Sequence, residues 1–359
     1  MTVAPADTNR IRTGLIGYGF AGKTFHAPLI NSVPGLDLVA VASSDASKVH
    51  ADLPDVTVIN DAAELIASDA VDLVVIAAPN ALHVPLAKAA LLAGKHVVID
   101  KPMALDLDEA RAVIALAQAQ QRLLSVFHNR RWDSDFLAVR AAIERGLIGK
   151  VAHFESHIDR YRPEVRDRWR EGSGPGAGIW YDLGPHLIDQ ALQLFGLPDR
   201  VHAHLAIQRE GGMADDWAHA LLDYGTHQVI LHASMLVAGA TFRFVVHGDR
   251  GSLLKKRIDQ QEQQLLAGVI PGSDDWGRDS DALVHIHGDG TEHPLPVSAG
   301  DQRRYYLGIR DALNGTASNP VPPIQALAVM AVLQAGFDAS YDGCAKPLAL
   351  TASERASWS

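Results

Sequence analysis

Through the first third of the chain, short apolar runs alternate with stretches of helical period. The runs Ile11–Ile16, Leu36–Ala42, Val56–Ile59, Leu73–Ala77, Val97–Ile99 and Leu123–Phe127 are apolar on both faces, as parallel strands covered by helices must be. Helices are predicted between them at 23–32, 61–68, 81–93 and 107–121. Pro28, inside the first, predicts a kink or a restart. Asp106 with Glu109 three residues on reads as a helix start, and Gly94 sits where a glycine ends one. Repeated β-α-β units predict a doubly wound parallel sheet.

Beyond residue 130 the pattern changes. One more helix is predicted at 134–145, closed by Gly146. Longer segments with every second position apolar follow: Val151–Ile158, Val201–Gln208, Trp217–Tyr224, Gln228–Leu236 and Thr241–His247. They predict an open, mostly antiparallel sheet with a helix at 184–195 packed on it. The polar stretch 268–282 reads as a mobile loop, and a last helix spans Ile324–Ser340. The fold class is therefore α/β, with a Rossmann domain over 1–130 and a second α/β domain over 131–359 for substrate binding and oligomerisation. The last helix and tail are free to pack back towards the first domain.

Composition narrows the function. With 47% hydrophobic and 21% charged residues this is an ordinary globular chain, and a net charge of -10 argues against nucleic-acid or anionic-membrane partners. Cys344 is the only cysteine, so there is no disulfide framework. Residues 1–10 lack the apolar core of a signal peptide, and no apolar run is long enough to span a bilayer, so a cytoplasmic protein is expected.

The first strand ends in a G-x-G-x-x-G spacing at Gly17, Gly19 and Gly22, with Phe20 and Ala21 inside it. After a strand and before a helix, this spacing cradles the pyrophosphate of a dinucleotide. The second strand ends in Ala42-Ser43-Ser44-Asp45, where such folds meet the adenosine ribose. Ser43 at the deciding position, with Ser44 and Lys48 nearby, favours NADP; a register two residues later would put Asp45 there and favour NAD. After the fourth strand come Pro79, Asn80 and His83. Asn80 and His83 are placed to face the nicotinamide ribose, or Asn80 to cap the next helix. Lys101 ends the fifth strand over the same crevice; a solvated loop lysine before Pro102 is the alternative.

Pro185 is tolerated best in a helix's first turn, which predicts a helix start near Asp182–Gly184 with Asp182 at its cap. His186 and Asp189 then share a face, and a histidine between two carboxylates suits a general base; a capping Asp beside a structural His is the alternative. The pairs His202/His204 and His285/His287 have strand spacing for a metal but no accompanying carboxylate cluster, and no metal is expected. The Arg-rich run from Arg160 to Glu171 reads as a salt-bridged loop or a substrate lid.

With these residues in view, the chain resembles the Gfo/Idh/MocA oxidoreductases over essentially its whole length. The resemblance rests on the glycine loop at 17–22, Phe25-His26-Ala27-Pro28, Asp100-Lys101-Pro102 and the pattern from Asp182 to Asp189. The phrases Phe127–Asp133 and Gly178–His186 resemble its NADP-dependent scyllo-inositol dehydrogenase branch. Asp100 stands where the family usually has Glu. The resemblance implies that Lys101, Asp182 and His186 act on a polyol or sugar, most simply scyllo-inositol or its inosose. Hydride would pass to or from NADP, with NAD as the alternative cofactor. His186 is expected to take the hydroxyl proton, oriented by Asp182 or Asp189, and Lys101 to stabilise the alkoxide. His128, Asn129, Tyr161, Trp180 and Asp189 are the substrate-binding candidates. A homo-oligomer is expected. The competing functions are a non-catalytic sugar sensor and an NAD-dependent glycosidase of the same fold.

Overall fold

A computed structural model of the chain describes residues 10–358. The stretch searched for a targeting signal, apart from Arg10, lies outside the described residues. Among the described residues no helix is long and apolar enough to cross a membrane.

The first sheet has six strands: β1 (Ile11–Ile16), β2 (Leu36–Ala42), β3 (Thr57–Ile59), β4 (Leu73–Ile76), β5 (His96–Ile99) and β6 (Leu124–Val126). Their order is β3-β2-β1-β4-β5-β6, all parallel, which is the doubly wound dinucleotide-binding arrangement with its crevice where β1 meets β4. The central strands β4 and β5 and the edge strand β6 are buried along nearly their whole length, as expected, whereas the edge strand β3 has no buried residue. The first helical stretch is a π-turn over Gly22–His26 followed by an α-helix over Ala27–Asn31, restarting at Pro28. The Asp106 carboxylate caps Leu107–Ala119 by accepting from Glu109 N at 2.8 Å.

The second sheet has nine strands: β7 (Val151–Asp159), β8 (Arg200–Ala206), β9 (Trp217–Asp223), β10 (Gln228–Ser234), β11 (Phe244–Gly248), β12 (Gly251–Lys255), β13 (Leu283–His287), β14 (Glu292–Leu295) and β15 (Lys346–Pro347). Every pairing is antiparallel except that of β7 with β10. One face packs under the helices Ile179–Phe195 and Pro323–Asp342; Phe154 meets Phe195 with ring centroids 5.2 Å apart. The other face carries His153, Glu155, His157 and Asp159 of β7 and has no such helical cover among the described residues.

Helix Pro323–Asp342 touches β8 on one side and Leu107–Ala119 and β6 on the other, and Arg111 pairs with Glu354 of the tail at 2.8 Å. The helix Arg303–Leu313, not among the expected elements, is amphipathic and buries Tyr305, Tyr306 and Ile309; the Tyr306 hydroxyl lies 2.6 Å from His26 Nδ1.

Three expectations about elements need correcting. Strands β12–β14 lie beyond the strands expected from the sequence, which end at His247. The 268–282 stretch is irregular but anchored, because Trp276 is buried and Asp279 and Asp281 hold Lys255 Nζ at 3.0 and 2.6 Å. The third concerns the helix that carries Asp182: it begins at Ile179, with Gly178 at its cap and Pro185 inside it. Its start is held from elsewhere in the chain. Ile179 N donates to Asp215 O at 2.7 Å and Trp180 N to the Asp215 carboxylate at 2.8 Å.

Candidate active site

Gly17 leaves β1 at φ +95°, a conformation that favours glycine. A Cβ there would sit 2.5 Å from Ala77 O, and one on Gly22 only 2.1 Å from Gly17 O, so both glycines let the turn, β4 and the following helix close up. Gly19 differs: a Cβ would meet nothing within 4 Å. Its backbone borders open space, where a pyrophosphate can approach.

From this loop a cleft of about 390 Å³ runs to the end of β2, lined by Gly17, Gly19, Ser43, Ser44, Asp45 and Lys48 among others. Ser43 is the first residue after the strand. The Asp45 carboxylate caps the short helix Ala46–His50, accepting from Ser47 Oγ at 2.6 Å and Lys48 N at 3.0 Å, and these bonds hold its pKa low. Lys48 makes no ion pair among the described residues.

A second cavity, of about 350 Å³, lies between the domains. The first domain contributes Phe20 and Ala21 of the glycine loop, Asp100 and Lys101 after β5, and Asn129 and Arg130 after β6. The second contributes Asp182 and His186, and arginines of the segment after β7. Lys101 Nζ donates to Asp182 O at 2.6 Å and to Asp182 Oδ1 at 3.1 Å. Arg160 and Arg170 each approach the Asp182 carboxylate at 3.5 Å. Burial alone would raise the Asp182 pKa, but Lys101, Arg160 and Arg170 outweigh it and hold the group well below the carboxylate range. Behind Lys101, the Asp100 carboxylate accepts from Lys101 N at 2.8 Å; burial pushes it up, His26 and Lys101 pull it down, and the balance is about 2.

His186 is 7% exposed. Burial lowers its pKa well below the usual value, and the charges of Lys101, Arg130 and Arg160 lower it further. Its Nδ1 has no partner among the described residues. The ring is therefore a neutral base beside an ammonium.

Two family models match: an oxidoreductase-family NAD-binding Rossmann fold over residues 11–128, and an oxidoreductase-family C-terminal α/β domain over 140–348. The chain belongs to the Gfo/Idh/MocA oxidoreductase family. It is 51% identical over 336 residues to the uncharacterized oxidoreductase YdgJ of Escherichia coli, covering 93% of this chain and 97% of YdgJ. To the scyllo-inositol 2-dehydrogenase (NADP(+)) IolW of Bacillus subtilis it is 36% identical, covering 92% and 94%. A crystal structure described as an oxidoreductase from Klebsiella pneumoniae matches with TM-score 0.93 and 58% identity over 98% of both chains. The first domain is thus an NAD(P)-binding Rossmann domain, and its glycine cradle fits the dinucleotide.

Within this Gfo/Idh/MocA fold, Lys101, Asp182, His186 and Asn129 come together around the inter-domain cavity, and Gly17, Gly19, Ser43, Ser44 and Lys48 around the cleft. Other candidates do structural work instead. Trp180 is fully buried, its ring against Gly184 and Gly336 and its Nε1 donating to Leu333 O at 3.0 Å, so it packs two helices rather than lining the cavity. Both Asp189 oxygens take Arg131, at 2.6 and 2.8 Å. Neither Asp189 nor Asp182 is therefore bonded to His186, contrary to the expected carboxylate-oriented base. Tyr161 is 62% exposed and bridges to Leu236 instead. His128 is buried and does not line the cavity, whereas its neighbours Phe127 and Asn129 do.

On the cofactor side, Asn80 is no cap: its Nδ2 donates to Gly176 O at 2.9 Å and ties the two domains. His83 spans two strand-end loops, its ring nitrogens 2.7 Å from Pro102 O and 2.9 Å from Ala78 O, and so positions the Lys101 loop. Pro79 precedes this turn. Sequence reasoning missed Phe25, Arg130 and Glu262 as lining residues. The Arg130–Glu262 pair, at 2.8 Å, spans a sequence separation that no local pattern reveals.

Proposed function

We propose that this chain is an NADP-dependent dehydrogenase that interconverts a ring CH–OH and the corresponding ketone of a cyclic polyol or sugar, with scyllo-inositol and its inosose as the leading pair. The observation that carries this reading is the meeting of Lys101, Asp182 and His186 in one cavity bordered by Phe20 and Ala21 of the glycine loop. A bound nicotinamide supplies the hydride acceptor or donor. Lys101, paired with Asp182 at 3.1 Å, donates to the reacting oxygen and stabilises alkoxide charge in a partly closed site. Neutral His186 accepts the hydroxyl proton. Asn129, fixed by its bond to Gln302 Oε1 at 2.9 Å, offers its amide oxygen to a substrate hydroxyl.

The preference for NADP rests on Ser43 and Lys48 beside Asp45, whose carboxylate is engaged in capping, and the NADP(+) in the name of IolW points the same way. An assay of inositols, aldoses and their keto forms with both cofactors, followed at the reduced-nicotinamide absorbance, tests the reading. Turnover of none of them with intact NADP binding favours a sensor, and sugar release from a glycoside without net cofactor reduction favours a glycosidase.

A second substrate class has a specific observation behind it. Lys101, Arg130, Arg160, Arg162, Arg166, Arg168 and Arg170 line the cavity against only Asp100, Asp182 and Glu262. Burial and the neighbouring arginines lower the Arg162 pKa, a sign of crowded positive charge. A substrate bearing a carboxylate or phosphate would relieve that crowding, so sugar acids and phosphorylated polyols belong in the same panel.

A further inference from the structure

The sheet face that no helix covers among the described residues carries a histidine-rich cluster outside the inter-domain cavity. Strands β7 and β10 run parallel with His157 opposite His232, while Asp159 lies two residues beyond His157 on the same face. One Asp159 oxygen lies 3.7 Å from His157 Nδ1 and the other 3.7 Å from His232 Nε2. Ligand atoms of the three side chains all fall within 4.8 Å of one another. The Asp159 side chain is only 6% exposed, yet neither of its oxygens has a hydrogen-bond partner among the described residues, and nor does His157 Nδ1.

These separations are too long for hydrogen bonds. They are close to the edge of a coordination tetrahedron, where zinc bonds of about 2.0–2.1 Å place neighbouring ligand atoms roughly 3.4 Å apart. The far side of His157 supplies a second, independent feature. Its Nε2 lies 2.9 Å from Glu155 Oε2, and the other Glu155 oxygen is 2.7 Å from His153 Nε2. A carboxylate behind a histidine fixes the ring so that its opposite nitrogen faces a metal.

We propose that His157 Nδ1, Asp159 and His232 Nε2 form a binding site for a divalent zinc-type ion, with Glu155 as the positioning carboxylate. Two imidazoles and one carboxylate favour zinc over magnesium or calcium, and three protein ligands leave a fourth position for water. The ion would clip β7 to β10 across their parallel junction. The site was invisible as a motif because His157 and His232 are brought opposite each other only by strand register.

The test uses the full chain, stripped with a chelator and titrated with Zn²⁺ against a chromophoric competitor, with metal content measured after dialysis. Co²⁺ absorption serves as a second readout. The wild type should hold one ion per chain, with the intense visible bands of a tetrahedral site. Asp159→Asn and His232→Gln should each weaken binding by roughly 100-fold or more, and Glu155→Gln by about 10–100-fold. Should Asp159→Asn misfold, His232→Gln and Glu155→Gln carry the test. Failure of the wild type to retain Zn²⁺, or equal retention by wild type and His232→Gln, overturns the proposal. Equal retention would mean that other histidines of this face take the ion.

Discussion

Replacing Lys101 with Met removes the ammonium from the inter-domain cavity and nearly preserves the length of the side chain. If Lys101 donates to the reacting oxygen, kcat should fall by roughly 10²–10³, or about 3–4 kcal/mol of transition-state stabilisation. The structural cost is smaller. Asp182 loses contacts of 2.6 and 3.1 Å, but Arg160 and Arg170 remain at 3.5 Å, so the carboxylate stays neutralised. A loss of about 1–3 kcal/mol is expected, within a typical total of about 5–15, and the variant should fold. Lys101 is also first among the charges that depress the His186 pKa, so the His186 titration should move up in Lys101→Met. NADP binding followed by fluorescence, kcat and KM on the best substrate, and the histidine ring signals by NMR separate these effects. His186→Ala should lose roughly 10²–10⁴ in kcat. The double variant should be far less impaired than the product of the two losses, because both groups act on one oxygen. A Lys101→Met enzyme that binds NADP and turns over at close to the wild-type rate would refute the reasoning.

Ser43→Asp should raise the KM for NADP by roughly tenfold and leave NAD little changed, since like charges about 4 Å apart repel by about 1 kcal/mol even in water and the phosphate carries nearly two; a wild type that already prefers NAD would show that Ser43 is not the residue meeting the phosphate. His128 is buried and its pKa is lowered to about 4, chiefly by burial, so the unfolded chain takes up a proton near pH 6.5 that the native one refuses. Stability should therefore fall as the pH drops from about 6.5 towards 4, by about 2 kcal/mol at pH 5, and His128→Phe should lack that component; equal urea stabilities lost by both proteins between pH 7.5 and pH 5 would dismiss it. The sheet face left open by the helices predicts at least a dimer, and light scattering that gives a monomer at micromolar concentration would contradict that.

Much of the first domain was legible because its signals are local. A strand buried on both faces must be apolar throughout, a turn at φ +95° calls for glycine, and a cap such as Asp106 acts three residues away. Those constraints act within one turn or one strand, so strands β1–β6, the glycine cradle and the position of Lys101 could be read directly. The site between the domains was legible only as a set of chemical types. Asp182, His186 and Asp189 stand in one helical repeat, but which of them meets Lys101 depends on how that helix is docked. Its start at Ile179 was hidden because the capping group is Asp215, and Pro185 looked like a first-turn residue only in the absence of that cap. The partners of Trp180 and Asp189 were hidden for the same reason: Leu333 and Arg131, which claim them, come from distant parts of the chain. Strand register decided the rest, setting His232 opposite His157. Local patterning follows from steric and solvation demands that each segment meets by itself, whereas partners far apart in sequence are chosen by packing, after the segments have formed.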